Sequence, residues 1–169
     1  AFRVRAEDDG LPALTRLALR ELAQRVQYLD SQLETTVTRL NRITTAFAPE
    51  LVALQGVGPD VASTLLLTAG DNPHRLEREA SFAALCGSSP LPANSGKRQN
   101  RHRLNRGGDR QANHALWRIA LVRLSHDQRT RDYVARRIAE GRTKSEALRC
   151  LKRYIAREVF NALPITKIN

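Results

Sequence analysis

Leu19, Leu22, Val26, Leu29, Leu33, Thr36, Leu40, Ile43 and Phe47 recur in alternating steps of three and four. No other feature restricts the fold of this chain as strongly. Such steps line up one narrow seam of an α-helix, the a and d positions of a coiled coil, here sustained for about four heptads. The helical pattern runs from Leu11 to Phe47, with Arg20, Glu21, Arg25, Glu34 and Arg39 flanking the seam. A seam this narrow cannot form the core of a large globule without a matching partner. The helix must fold back on another helix or pair with a second copy, and a homo-oligomer, dimer or higher, is the expectation. Asn41 and Thr44 are expected to be solvated, and residues 1–10 read as a frayed lead-in.

Pro49 breaks the pattern and divides the chain into 1–48, lead-in and coiled coil, and 49–169, a helical domain. Residues 49–70, PELVALQGVGPDVASTLLLTAG, place two short apolar helices around Gly56-Val57-Gly58-Pro59. Leu51 and Leu54 precede the turn; Val61, Ala62, Leu65 and Leu66 follow it. This arrangement reads as a helix-hairpin-helix. Gly56 and Gly58 let backbone pass close to a phosphate, and the free amides at the second helix start attract an anion. A plain tight turn between two helices is the bland alternative.

Residues 71–76 read as a loop, and a helix from about Glu77 to Cys86 buries Phe82 and Leu85 and ends at Gly87. Asp109 is the expected N-cap of a helix reaching Ser125, with Leu116, Ile119, Ala120 and Leu124 as its apolar stripe and Trp117 at the edge. Residues 130–140 form a further helix with Tyr133, Val134 and Ile138 inward. Thr143 and Glu146 have capping-box spacing and start a last helix to about Leu163. Arg149, Lys152, Arg153 and Arg157 lie off its apolar face. The fold class is therefore all-α: a long coiled-coil helix followed by a compact helical domain containing a helix-hairpin-helix.

The remaining stretch, residues 93–110 (ANSGKRQNRHRLNRGGDR), carries the chemistry. A formal net charge of +11 calls for a polyanionic partner, nucleic acid before a membrane surface. Within the stretch, Ser95 and Gly96 are followed by Lys97, Arg98, Arg101, His102, Arg103, Arg106 and Arg110. Guanidinium forks hold two phosphate oxygens each and offset charge that develops during attack on a phosphodiester. A serine hydroxyl needs such activation to act as a nucleophile. Asp109 is placed to orient one of the arginines, and His102 titrates near neutral pH, where it serves as proton acceptor or phosphate contact. Charge and spacing alone favour the plainer reading, in which the serine only contacts phosphate.

Cys86 and Cys150 read as small buried hydrophobes, with no CxxC pair and no His/Cys spacing for a metal. No apolar run spans a bilayer and no signal peptide is visible, so a cytoplasmic location is expected. The sequence holds no methionine, which is expected of a processed product or excised fragment.

The ordered series LVALQGVGPDVASTLLL, FAALCGSSPLPANSGKRQNRHRL and GGDRQANHALWRIALVRL resembles the C-terminal domain of an insertion-sequence transposase family. It is the IS-one-ten family, which includes the Piv and MooV DNA invertases and is guided by a bridge RNA. The resemblance covers roughly residues 49–163, and the preceding helix resembles that family's coiled coil. It implies that Ser95, the serine of the (N/D)SG motif, is the nucleophile that becomes joined to DNA. It further implies donor DNA, target DNA and a bridge RNA as partners. The family pattern includes an N-terminal RuvC-like domain whose acidic cluster binds Mg²⁺; Glu7, Asp8 and Asp9 do not reproduce it. No cofactor is therefore expected in this fragment, and strand exchange is expected to need the RuvC-like site. Two rivals stand beside this reading: a non-catalytic nucleic-acid-binding and oligomerisation module, and a structural assembly domain.

Overall fold

The computed structural model describes residues 10–70, 73–89, 91–92, 102–103, 105 and 107–164. Among them the chain is all-α: seven α-helices, a 3-10 turn and one two-residue antiparallel pairing. The helices are α1 (Leu11–Phe47), α2 (Pro49–Val52), α3 (Pro59–Ala69), α4 (Glu79–Leu85), α5 (Arg110–His126), α6 (Gln128–Ala139) and α7 (Lys144–Ala162). None is long and apolar enough to cross a membrane among the described residues. The chain divides into two compact units after Arg39, inside α1.

In the first unit the helix is continuous and its seam is bare. Leu22, Val26, Leu29 and Leu33 are each at least half exposed. Thr15, Thr35 and Thr36 hydroxyls donate back to carbonyls four residues earlier, so these polar side chains are satisfied within the helix itself.

The second unit opens with the last turns of α1. Thr44, expected to be solvated, is buried; its hydroxyl donates to the Leu40 carbonyl at 2.8 Å, which removes the cost of burying it. Asn41 is exposed, as expected. Pro59 sits in the first turn of α3, where the missing N–H costs nothing. The first helix of the expected hairpin is shorter than its spacing implied, a single turn from Pro49 to Val52.

Helix α5 packs between α3 and α7, and α4 lies on α7. Leu51, Leu65, Phe82, Leu116, Ile119, Ile155 and Leu163 are fully buried between them. Alanines at 112, 115, 120, 147 and 156 are also buried, and their small side chains let helices approach closely. The Phe82 and Phe160 rings meet at 6.2 Å.

The caps explain the helix starts. Asp109 accepts from the amides of Gln111 and Ala112 at the head of α5, and Thr143 and Glu146 form the full capping box of α7. Asp127 caps α6, accepting from the amides of Arg129 and Thr130, so that helix begins at Gln128 rather than 130. Residues 73–76 wind as a 3-10 turn instead of an open loop.

Two further expectations are corrected, and one buried cation stands beside them. Ile138 faces outward and is 44% exposed, because the α6–α7 contact is carried by Val134 and half-buried Tyr133. Lys152 is buried rather than on an outer face of α7. Arg123 is also buried: its Nε donates to the Gln55 carbonyl at 2.9 Å and its Nη1 to Glu158 at 2.6 Å. It thereby ties the turn between α2 and α3 to α5 and α7. On α4, Glu79 accepts from Arg153 at 2.8 Å and from Arg157, fastening that short helix to α7.

Candidate functional site

Ser95, Lys97, Arg98, Arg101 and Arg106 lie outside the described residues; His102 and Arg103 are described through their backbone. What the structure defines is the neck, the two backbone limbs that flank this segment in sequence. Helix α4 ends in a Schellman arrangement: the Gly87 amide donates to Ala84 at 3.0 Å and the Ser88 amide to Ala83 at 2.8 Å. Gly87 has φ +62°, which suits glycine.

The returning limb crosses this turn at Gly107-Gly108. A Cβ on Gly108, φ +91°, would stand 2.5 Å from the Gly87 nitrogen and 2.6 Å from the Leu85 carbonyl oxygen. A Cβ on Gly87 would meet the Gly107 oxygen at 2.6 Å. Only bare backbone fits on both sides. Next to the crossing, the Asp109 amide donates to the Leu85 carbonyl at 2.6 Å. Further out, β1 (Leu91–Pro92) pairs with β2 (His102–Arg103), Leu91 opposite Arg103 and Pro92 opposite His102. The two ends of segment 93–101 are therefore held together twice.

Asp109 does not orient an arginine among the described residues. Its carboxylate accepts from the Thr68 hydroxyl at 2.9 Å as well as from the two α5 amides. Burial works to raise its pKa, but the hydrogen bonds from Ala112, Thr68 and Gln111 outweigh it and hold the group below the usual carboxylate range. The cap thus locks the head of α5 to α3. Arg110, the next residue, is exposed at the positive end of that helix, where cation and helix dipole add to one field that attracts anions.

In the turn between α2 and α3 the two glycines differ. Gly56, φ +86°, lies against Ile119; an added Cβ would meet Ile119 atoms at 3.3 Å, so the absence of a side chain serves helix packing. Gly58 opens to free space and caps α3. The first turn of that helix carries its own carboxylate, Asp60, paired with Arg118.

Sequence reasoning missed Asn113. Its Nδ2 donates to the Cys86 and Gly87 carbonyls at 2.8 and 3.1 Å, and its Oδ1 accepts from Lys152 Nζ at 2.7 Å. One amide thus supports the neck from behind and satisfies a buried ammonium. No local signal distinguishes this asparagine from a solvated one. Burial, and next the Asp109 charge, push the Cys86 thiol up to about 12, so it behaves as a core hydrophobe. Cys150 is half-buried, and both cysteines are free. Among the described residues no group of three or more His, Cys, Asp or Glu side chains is placed to hold a metal ion.

The sequence pattern of the Transposase IS116/IS110/IS902 family matches residues 48–135, from the end of α1 through most of α6. The chain belongs to this transposase family. It is also similar to the protein named "Insertion element IS110 uncharacterized 43.6 kDa protein" of Streptomyces coelicolor, 33% identical over 106 residues. That alignment takes in 63% of this chain and 26% of the relative, so the chain spans about a quarter of the protein it matches. The matched transposase segment contains α2 through α5, the neck and the whole of segment 93–101.

Proposed function

We propose that this transposase-family chain carries the strand-joining serine of a DNA recombinase, with Ser95 as nucleophile. The observation that supports it is the neck, whose two backbone fastenings beside the head of α5 flank the serine-bearing, arginine-rich segment in sequence. In the step itself, Ser95 Oγ attacks phosphorus and forms a serine–phosphate ester. The bond from phosphorus to the departing sugar oxygen breaks, and that oxygen takes a proton from water and leaves as a hydroxyl. The serine proton passes to a neighbouring base, for which His102 stands nearest in sequence. Lys97, Arg98, Arg101, Arg103, Arg106 and Arg110 offset charge gathering on the non-bridging oxygens.

Donor and target DNA are the substrates, and an RNA that pairs with both selects the sequences, in keeping with the family resemblance. By the same resemblance, the Mg²⁺ site belongs to a RuvC-like domain. The bare seam of α1 pairs with further copies of the chain, and Gly58 is the hairpin position where a phosphate has room.

The decisive experiment supplies the full-length protein with its RNA and a cleavable DNA, then maps trapped adducts by mass spectrometry. DNA is expected on the peptide containing Ser95, and Ser95→Ala is expected to lose the adduct while still binding DNA. An adduct on another residue refutes the serine mechanism. Retained DNA binding with no adduct in either protein favours the non-catalytic module.

A further inference from the structure

A cleft of about 420 Å³ opens between α6, α7 and the neck. Its size falls within the ~300–1,000 Å³ range of small-ligand sites. Both limbs of the neck reach it, through Gly87–Ser89 on one side and Asn105 on the other. Six cationic side chains line it against two acidic ones, Glu140 and Glu146. Both acids are engaged: Glu140 with Arg137 at 2.5 Å, and Glu146 in the capping box of α7. Arg153 is taken by Glu79. Arg136, Arg142 and Arg149 have no ion pair among the described residues, so they concentrate like charge around one concavity.

The floor and wall add two independent observations. Lys152, at the floor, is 8% exposed, and among the described residues its three N–H donors meet only the neutral Asn113 oxygen. A buried ammonium so placed gains from an anion within reach. On the wall, Tyr154 is 54% exposed, edge-on to Tyr133 at 5.7 Å, while the Arg136 guanidinium covers the Tyr133 ring at 5.6 Å. An exposed ring such as Tyr154 beside arginines without an ion pair is what single-stranded nucleic acid uses: a base stacks on the ring and its phosphate meets the cations. An acidic peptide would satisfy the cations and leave the ring uncovered. A duplex is too wide for a cleft of this volume.

We propose that this cleft holds one unstacked nucleotide of a nucleic-acid strand, its phosphate among Arg142, Arg149 and Lys152 and its base against Tyr154. The binding step stands on the cleft alone. Its placement next to the segment bearing Ser95, as a seat for a nucleotide flanking the cut, rests on the reading given under Proposed function. Because Asn113 joins Lys152 to the Cys86 and Gly87 carbonyls, occupancy of the cleft is coupled to the neck through one side chain.

The test uses this chain and a single-stranded oligothymidylate carrying 5-iodouracil, which crosslinks to stacked aromatic rings on irradiation. Crosslinks are expected on the peptides containing Tyr154 or Tyr133. Arg142→Glu with Arg149→Glu is expected to weaken oligonucleotide binding about tenfold or more and to lose the crosslink, with the circular dichroism spectrum unchanged. Tyr154→Ala, a milder change on an exposed position, is expected to weaken single-strand binding and leave duplex binding unaltered. Crosslinks only on other peptides, no binding of the oligonucleotide, or charge reversal without effect overturn the proposal. Displacement by polyglutamate as effective as displacement by unlabelled oligothymidylate overturns it too, in favour of a general anion site. Ser95→Ala should retain the crosslink, so a failed serine mechanism and a vacant cleft give different results.

Discussion

Gly87 and Gly108, the glycines at the two limbs of the neck, are in backbone contact: a methyl on Gly108 would sit 2.5 Å from the Gly87 nitrogen. The contact matters because the segment that includes Ser95 lies between these two residues in sequence. A loop closed by side chains would tolerate substitution at its root. One closed by bare backbone does not.

Gly108→Ala is therefore expected to cost more than about 2 kcal/mol, adding collisions with three backbone atoms to the cost of a positive φ. Gly141 supplies the control, since it also has a positive φ, +83°, but faces open space. Gly141→Ala should cost only ~1–2 kcal/mol. Denaturant titrations of the two variants check this; equal losses would mean that the neck is not tightly closed.

A pH effect is expected from the clasp between α4 and α7. The hydrogen bonds from Arg157, and next from Arg153, hold the Glu79 carboxyl down to about 2 from its ordinary 4.5. A carboxylate with a depressed folded pKa contributes stability that is complete above the unfolded value and is lost as pH falls through the folded one. Stability should thus decline between pH 4.5 and about 2, and Glu79→Gln should flatten that part of the profile. Thermal unfolding across this window decides the matter, with an unchanged slope in the variant counting against the clasp.

The bare seam predicts a concentration-dependent assembly. Leu29→Glu together with Leu33→Glu should convert the oligomer to a monomer in sedimentation equilibrium and reduce helicity, because an isolated helix lacks its packed face. Charge reversal at Arg101 and Arg103 should leave the mass unchanged while weakening DNA binding and its salt dependence. A wild-type monomer at all concentrations would remove the coiled coil from the proposal.

The sequence by itself determined the all-α class, the caps at Asp109 and Thr143 and the break at Pro49. Heptad spacing in α1, the Thr143–Glu146 box and the Asp109 cap all act over three or four residues, the distance at which a single chain constrains itself. The transposase motifs were legible for the same reason, since each is a short run in fixed order. Tertiary structure alone decided which of these pieces meet. Thr68 reaches Asp109 across 41 positions, Lys152 reaches Asn113 across 39, and Arg123 reaches the Gln55 carbonyl across 68. An ammonium in sequence carries no sign of its distant partner, so Lys152 reads as a surface residue. The crossing of Gly87 with Gly108 and the cleft beside it arise the same way: they exist only once α4, α5 and α7 have packed and brought remote backbone into contact.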